Sequence, residues 1–383
     1  MLLNLYKADV IEGLQKAAGI IPQRTGAAYL RSIWLKAEES GLEVLSTDSS
    51  IEFRGLYTAE VVKKGLVGVP GRSFVELLRR LPDGRISLKQ EEGSSTLLVE
   101  QGRRKYKLPT NDSSWFQAFS DFPEKGAVVW SGDFLQEVIA RVDFCIGDEG
   151  MDALACMILK PADNGRIEAA GMNGHQFAMI GFLHDDLRAL LPEEGILIQK
   201  KYLSELKKWL VGDEIEVNIG DKRLYVRSER KKECFSMPLA SFQYPDYSAF
   251  LARIKGDDVS NLELSRAEAA EALNRIAIFN TESNRCTYFA LSAKEAVLSA
   301  VGQEVGSADE SLDVEYNGSI ERIAFPTGNM LQILDHFGSE KLALSMTGVE
   351  GPCGIAGQDD PEYVVIIMPM KILEDVNYSE EQV

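Results

Sequence analysis

The chain has 383 residues, 45% hydrophobic and 26% charged, with 41 Lys and Arg against 59 Asp and Glu and a formal net charge of −18. That length allows two or three domains, the composition is that of a globular protein, and no apolar run approaches the length of a membrane span. The acidity argues against a nucleic-acid binder that is basic throughout, but it permits one whose cations are gathered on a single surface.

In chain order, residues 1–10 lack the basic and apolar regions of a signal peptide, so a cytoplasmic location is expected. A helix is expected over residues 7–18. A hairpin follows, 43–45 with 51–56. Residues 65–90 then read as a strand, a short helix, a Pro-Asp-Gly turn and a second strand. The helix buries Phe74, Leu77, Leu78 and Leu81, the spacing of one helical face. A strand pair, 96–100 with 105–108, closes this third. Residues 114–125 form an aromatic link.

The same plan recurs twice. A helix over 132–144, a hairpin of 157–159 with 166–170, and a strand–helix–strand unit over 196–219 make the second third, with Leu203, Leu206 and Leu210 on the helix face. Strands 223–227 and 234–238 close it, and 241–247 is its link. The third has a helix over 265–279, where Ser265 and Glu268 fit a capping box, and a unit over 322–346 with Met330, Ile333, Leu334 and Phe337 inward. Phe74, Leu203 and Met330 are about 128 residues apart, a third of the chain, against the roughly 20–50 residues of solenoid repeats. The expected architecture is therefore α+β: three tandem copies of a two-helix, antiparallel-sheet domain at 1–124, 125–252 and 253–372. An acidic tail occupies 373–383. Alternating polar and apolar residues in the strands indicate half-buried antiparallel sheets.

Catalytic signatures are absent from the sequence. The cysteines at 145, 156, 234, 286 and 353 stand singly and read as buried thiols. His175, His184 and His336 are not at metal-ligand spacing, and His175 falls in a turn. The glycines of 348–354 come without the Lys and Ser/Thr of a phosphate loop and read as a hairpin loop. No metal and no cofactor are expected. Basic residues, however, bunch on the anchor helices: Arg72, Arg79 and Arg80 in the first, Lys200, Lys201, Lys207 and Lys208 in the second. Arg24 follows the first helix. This arrangement suggests one face turned toward a polyanion. The solvated side of ordinary amphipathic helices is the competing reading.

The chain resembles the bacterial sliding clamp, the beta subunit of DNA polymerase III, over residues 1–372. The resemblance is carried by Val69-Pro70-Gly71-Arg72-Ser73-Phe74, Leu81-Pro82-Asp83-Gly84, Gly171-Met172-Asn173-Gly174-His175-Gln176-Phe177-Ala178, Tyr244-Pro245-Asp246-Tyr247 and Leu312-Asp313-Val314-Glu315-Tyr316-Asn317-Gly318. Above all it is carried by Tyr363-Val364-Val365 leading to Met368-Pro369-Met370-Lys371-Ile372. It implies a non-catalytic homodimeric ring with helices inside and sheets outside. Such a ring encircles double-stranded DNA without sequence preference. It tethers the polymerase III catalytic subunit, the clamp loader and other proteins with short hydrophobic clamp-binding peptides. It further implies a peptide cleft between the second and third domains, lined by Leu154, Met172, Gly174, His175, Phe177, Pro245, Phe250, Met368, Pro369 and Met370. DNA contacts would come from Arg24, Arg72, Lys200 and Lys201, and a dimer contact from Tyr106 against Ile278 and Phe279. The family usually has Thr-Asp-Gly-His-Arg-Leu where this chain has residues 172–177, so the apolar floor of the cleft is kept and its polar contacts change. The alternatives are a clamp-fold scaffold that binds partners without encircling DNA, and an acidic cytosolic enzyme with no recognisable motif.

Overall fold

A computed structural model of the chain describes residues 1–22, 27–210, 214–220, 222–228, 232–281, 285–302 and 305–372. Arg24 and the tail 373–383 lie outside the described residues. The chain forms two compact units, Met1–Ile139 with His184–Ser241, and Ala140–Leu183 with Phe242–Val383.

The strand–helix–strand unit is present three times. Gly65–Pro70, helix Gly71–Arg80 and Arg85–Lys89 form the first copy. Ile196–Gln199, helix Lys200–Trp209 and Glu214–Ile219 form the second, and Arg322–Pro326, helix Thr327–Asp335 and Lys341–Met346 the third. Each helix buries the face its spacing selects: Phe74 and Leu78 in the first, Leu203 and Leu206 in the second, Met330, Ile333 and Leu334 in the third. Leu77 is half-buried. The longer helices run Lys7–Ile20, Gly132–Asp143 and Arg266–Ile276. The last is capped by Ser265, whose hydroxyl accepts from the Glu268 N–H. A short strand precedes each of these helices (Leu2–Tyr6, Val128–Ser131 and Ser260–Ser265), whereas the sequence pattern places the helix itself at the start of each third.

In the first unit, one sheet runs Glu60–Lys63, Leu2–Tyr6, Arg85–Lys89, Thr96–Gln101, Arg104–Pro109, so the basic last strand is an edge. A second sheet runs Val128–Ser131, Glu214–Ile219, Arg223–Ser228, Glu233–Pro238, Glu52–Tyr57, Gly41–Thr47, Ser32–Glu38, Gly65–Pro70. It joins two thirds of the chain edge to edge, with Phe235 opposite Phe53. The aromatic link is packed down on this sheet: Phe116 meets Trp34 at 5.4 Å and Phe122 meets Tyr225 at 6.3 Å. The nearly buried Arg227 guanidinium stacks on Phe122 at 3.8 Å and forks onto the Glu124 carboxylate at 2.5 and 3.0 Å. Planar, bidentate pairing of this kind holds geometry as well as charge.

In the second unit the strands run Cys156–Pro161, Arg166–Met172, Gln176–Leu183, Asp360–Ile367, Cys353–Gly357, Lys341–Met346, Ser260–Ser265, Gly306–Asn317, Glu295–Gly302, Cys286–Leu291, Arg322–Pro326. Again two thirds are sewn edge to edge, here through Gln176–Leu183 against Asp360–Ile367. Gly306–Asn317 pairs with Glu295–Gly302 along its first part, but with Ser260–Ser265 only from Val314 onward. Among the described residues, 306–313 therefore has no strand partner on that second side.

Candidate functional site

The ten residues expected to line a cleft all lie in the second unit, and a short set of backbone hydrogen bonds and ring packings brings them together. Strand Arg166–Met172 turns into Gln176–Leu183 through Asn173, Gly174 and His175. Asn173 Oδ1 accepts from the backbone N–H groups of His175 at 3.0 Å and Gln176 at 2.8 Å. Gly174 takes φ +89°, a conformation glycine adopts without steric cost. The register sets Met172 opposite Phe177. On the other side of the same strand Ile366 lies opposite Phe177, and the Met368 N–H donates to the His175 carbonyl at 2.9 Å. Residues 368–370 are thereby delivered to the turn. The Met370 N–H is fixed on the Ala324 carbonyl at 2.7 Å.

Leu154 arrives through Gly147, whose amide donates to the carbonyls of Leu154 at 2.8 Å and Met172 at 3.3 Å. Pro245 and Phe250 arrive through Tyr247, the residue before helix Ser248–Ile254. Its ring lies 4.9 Å from that of Phe177, and its hydroxyl donates to Glu168 at 2.7 Å. The Lys160 ammonium sits 4.4 Å from the Tyr247 ring centroid. Burial, then the Glu168 carboxylate, push the Tyr247 hydroxyl well above the ordinary phenol range, so it remains a neutral donor. Tyr244 packs edge-on to Tyr247 at 6.3 Å. Its buried hydroxyl lies near the Met172 amide without hydrogen-bond geometry, and burial raises its pKa.

The result is a buried floor with exposed lips. Met172 and Phe177 are 9% and 6% exposed, whereas Phe250 and Met370 are 48% and 45% exposed. Apolar side chains left in water beside a packed floor are suited to covering by apolar groups of a ligand. Sequence reasoning missed Met151 and Phe242 as exposed apolar neighbours in chain. Met151 sits in an acidic loop, and the one available signal was its three-residue separation from Leu154.

The two histidines outside this turn hold structural contacts. His184 caps helix Asp185–Leu190 through Nδ1 and meets the Val129 carbonyl through Nε2. His336 stacks on Phe144 at 4.0 Å. Among the described residues no group of three or more His, Cys, Asp or Glu could hold a metal ion.

Of the basic candidates, Arg72 opens helix Gly71–Arg80, and its guanidinium donates to the Ile21 carbonyl at 3.0 Å. It is thus partly committed to closing the preceding helix. Lys200 and Lys201 open helix Lys200–Trp209, with the Lys201 ammonium 4.9 Å from the Tyr202 ring centroid. Tyr106 is half-buried on the basic edge strand. Ile278 is 70% exposed, and its half-buried neighbour Phe279 lies beside strand Glu295–Gly302, its carbonyl 2.8 Å from where a Gly302 Cβ would stand.

Models of the DNA polymerase III beta subunit match the chain at both ends, the N-terminal domain over residues 1–120 and the C-terminal domain over residues 256–371. The chain is 25% identical to the beta sliding clamp of Pseudomonas aeruginosa, covering 97% of this chain and 100% of that one. It is 26% identical to the beta sliding clamp of Pseudomonas putida, with the same coverage. The crystal structure of the DNA polymerase III subunit beta from Pseudomonas aeruginosa superposes with a TM-score of 0.88 at 24% identity, over 97% of this chain and 100% of that one. With family domains at both ends, relatives matched over their full length and the same fold, the chain belongs to the DNA polymerase III beta subunit family, the non-catalytic beta sliding clamps.

Proposed function

We propose that two copies of this chain close head to tail into a ring around double-stranded DNA, without sequence preference. The ring would tether the replicative polymerase and other proteins through hydrophobic peptides bound in the cleft. The clamp loader would be among those partners, and the site of action is the cytoplasm. The three domains of each copy are 1–124, 125–252 and 253–372.

The observation that carries this reading is the pattern of sheet seams. The last strand of the second third, Glu233–Pro238, pairs with a middle strand of the first, Glu52–Tyr57. The last strand of the final third, Asp360–Ile367, pairs with the equivalent middle strand of the second, Gln176–Leu183. Two strands are left over. One is the last strand of the first third, Arg104–Pro109, an edge in its sheet. The other is the corresponding middle stretch of the final third, 306–313, unpaired on one side among the described residues.

A third seam of the same kind joins these two strands between copies. The patches differ, so the contact is heterologous, and it closes after two copies. The charges agree with it: Arg103, Arg104, Lys105 and Lys107 on one edge, Asp309, Glu310 and Asp313 on the other. Tyr106 lies on the first edge, and Ile278 and Phe279 flank the second.

The test is retention on DNA. A clamp loaded on a circular duplex stays bound and is released when the circle is cut. Equal release from circular and linear DNA would instead favour a scaffold that does not encircle it.

A further inference from the structure

Ten methionines are present, and their exposure is uneven. Six are buried, Met179 and Met368 are half-buried, and only Met151 at 39% and Met370 at 45% are exposed. Both exposed residues adjoin the cleft. Met370 follows Met368 and Pro369, and its amide is pinned on Ala324. The Met151 sulfur stands 2.8 Å from where a Cβ of Gly147 would be, and the Gly147 amide is the one shared by the Leu154 and Met172 carbonyls. The Met151 carbonyl also accepts from the Leu154 N–H at 3.0 Å.

The thiols are placed in the opposite way. Cys145, Cys156, Cys286 and Cys353 are buried, and Cys234 is half-buried. Burial pushes Cys156 up to about 11 and Cys234 up to about 12. Thiols held protonated react slowly with peroxides, because the thiolate is the reactive form. Thioethers have no such protection, since their reaction does not depend on ionisation.

We propose that Met151 and Met370 are the modification sites of this protein for hydroperoxides, and that their oxidation closes the cleft to hydrophobic peptides. The inference rests on the cleft reading given above. A sulfur lone pair attacks the terminal peroxide oxygen, the S–O bond forms as the O–O bond breaks, and the departing alkoxide, or hydroxide from hydrogen peroxide, takes the proton carried by the transferred oxygen and leaves as an alcohol or water. Sulfur is oxidised by two electrons and the peroxide is reduced. Each sulfoxide puts a polar, strongly accepting group where the ligand's apolar side chains would bury it without a donor. Methionine also gives the unmodified cleft its capacity to repack around different peptides, so the same residues confer both breadth of recognition and sensitivity to peroxide.

The experiment treats the full chain with limiting hydrogen peroxide and follows it by peptide mass mapping. In parallel, fluorescence anisotropy measures binding of a short labelled peptide containing Leu and Phe. Met151 and Met370 should oxidise first, bound peptide should slow both, and affinity should fall about tenfold or more. The Met151→Leu/Met370→Leu chain should keep after peroxide whatever affinity it had before. Absence of peptide binding to the untreated chain overturns the cleft reading and this inference with it. Binding that survives full oxidation of both residues overturns the inference alone, as does a Leu variant that still loses affinity or preferential oxidation elsewhere.

Discussion

Reversing the charge of the edge strand Arg104–Pro109 tests the seam directly. Lys105 and Lys107 are both exposed on that strand, while Asp309 and Asp313 are exposed on the acidic stretch that would face it. An exposed opposite-charge pair across two strands contributes about 0.2–1 kcal/mol, and a like pair costs a similar amount. Changing both lysines to glutamate therefore shifts each seam by roughly 1–4 kcal/mol and, because a ring of two copies contains the seam twice, the dimer by roughly 2–8 kcal/mol, at least about thirtyfold in dimer Kd. Within the chain Lys105 pairs with Glu100 at 2.7 Å, so the variant also places two carboxylates on adjacent strands. A thermal melt of the monomer separates that local cost from the assembly effect. Sedimentation equilibrium at low and high salt is the assay. The natural chain should dissociate more readily as salt rises, and the double variant should associate better as salt screens the new repulsion. Adding Asp309→Lys and Asp313→Lys should restore assembly. A variant that dimerises like the natural chain at low salt, or one that the compensating changes fail to rescue, would refute the seam.

Phe250→Ala should weaken binding of a Leu- and Phe-containing peptide about three- to tenfold, because roughly half of a side chain whose full burial is worth about 1.5–3 kcal/mol is left to be covered by ligand; titration calorimetry reads it. Met370→Ala should act in the same direction, and unchanged affinity in both would remove the cleft assignment. Lys200→Ala with Lys201→Ala should weaken binding to short linear duplexes equally for all sequences, and should flatten the salt dependence by about 0.9 for each phosphate no longer neutralised. A sequence-dependent effect in gel-shift titrations would contradict it. Stability should fall as pH rises from about 9 toward 11 to 12, the values to which burial raises Cys156 and Cys234. Below the unfolded thiol pKa both states carry the neutral thiol and stability is unchanged, whereas above it only the unfolded chain ionises freely. Urea melts across that range check the sign, and Cys156→Ala with Cys234→Ala should reduce the slope.

The helices were legible because their apolar spacing is local: Phe74 and Leu78, or Met330, Ile333 and Leu334, announce a buried face within two turns. The hairpins were legible for the same reason. The seams were not. Alternation in Glu233–Pro238 reveals that the strand is half-buried, but it carries no information that Phe235 will lie opposite Phe53. The candidate cleft was reached through its motifs, and its supports appear only in the fold. Nothing in the sequence around Glu168 hints that its carboxylate will receive the Tyr247 hydroxyl, or that Gly147 will tie Leu154 to Met172. Arg72 shows the converse: its position pointed to phosphate, and the fold adds a bond from one arm of its guanidinium to the Ile21 carbonyl that the sequence does not announce.

Lysines in the first turn of a helix oppose its dipole, which favours anions there by about 0.3–1 kcal/mol per charge. Helix Lys200–Trp209 opens on two of them and has no acidic residue in its first turn. The dipole alone would favour the reverse. A ligand that is itself anionic changes the balance, since the dipole and the lysines then attract it together. The same logic limits how many such sites exist. The ammonium of Lys7 is bonded to the carbonyls of Arg79 and Leu81, Arg80 is paired with Glu76 and Lys208 with Glu205, and the chain as a whole carries a net charge of −18. Few phosphates neutralised means weak binding and a shallow salt slope. In the ring proposed above, that weakness is functional: each strong phosphate contact would be a barrier to movement along the duplex, and affinity supplied by topology needs none.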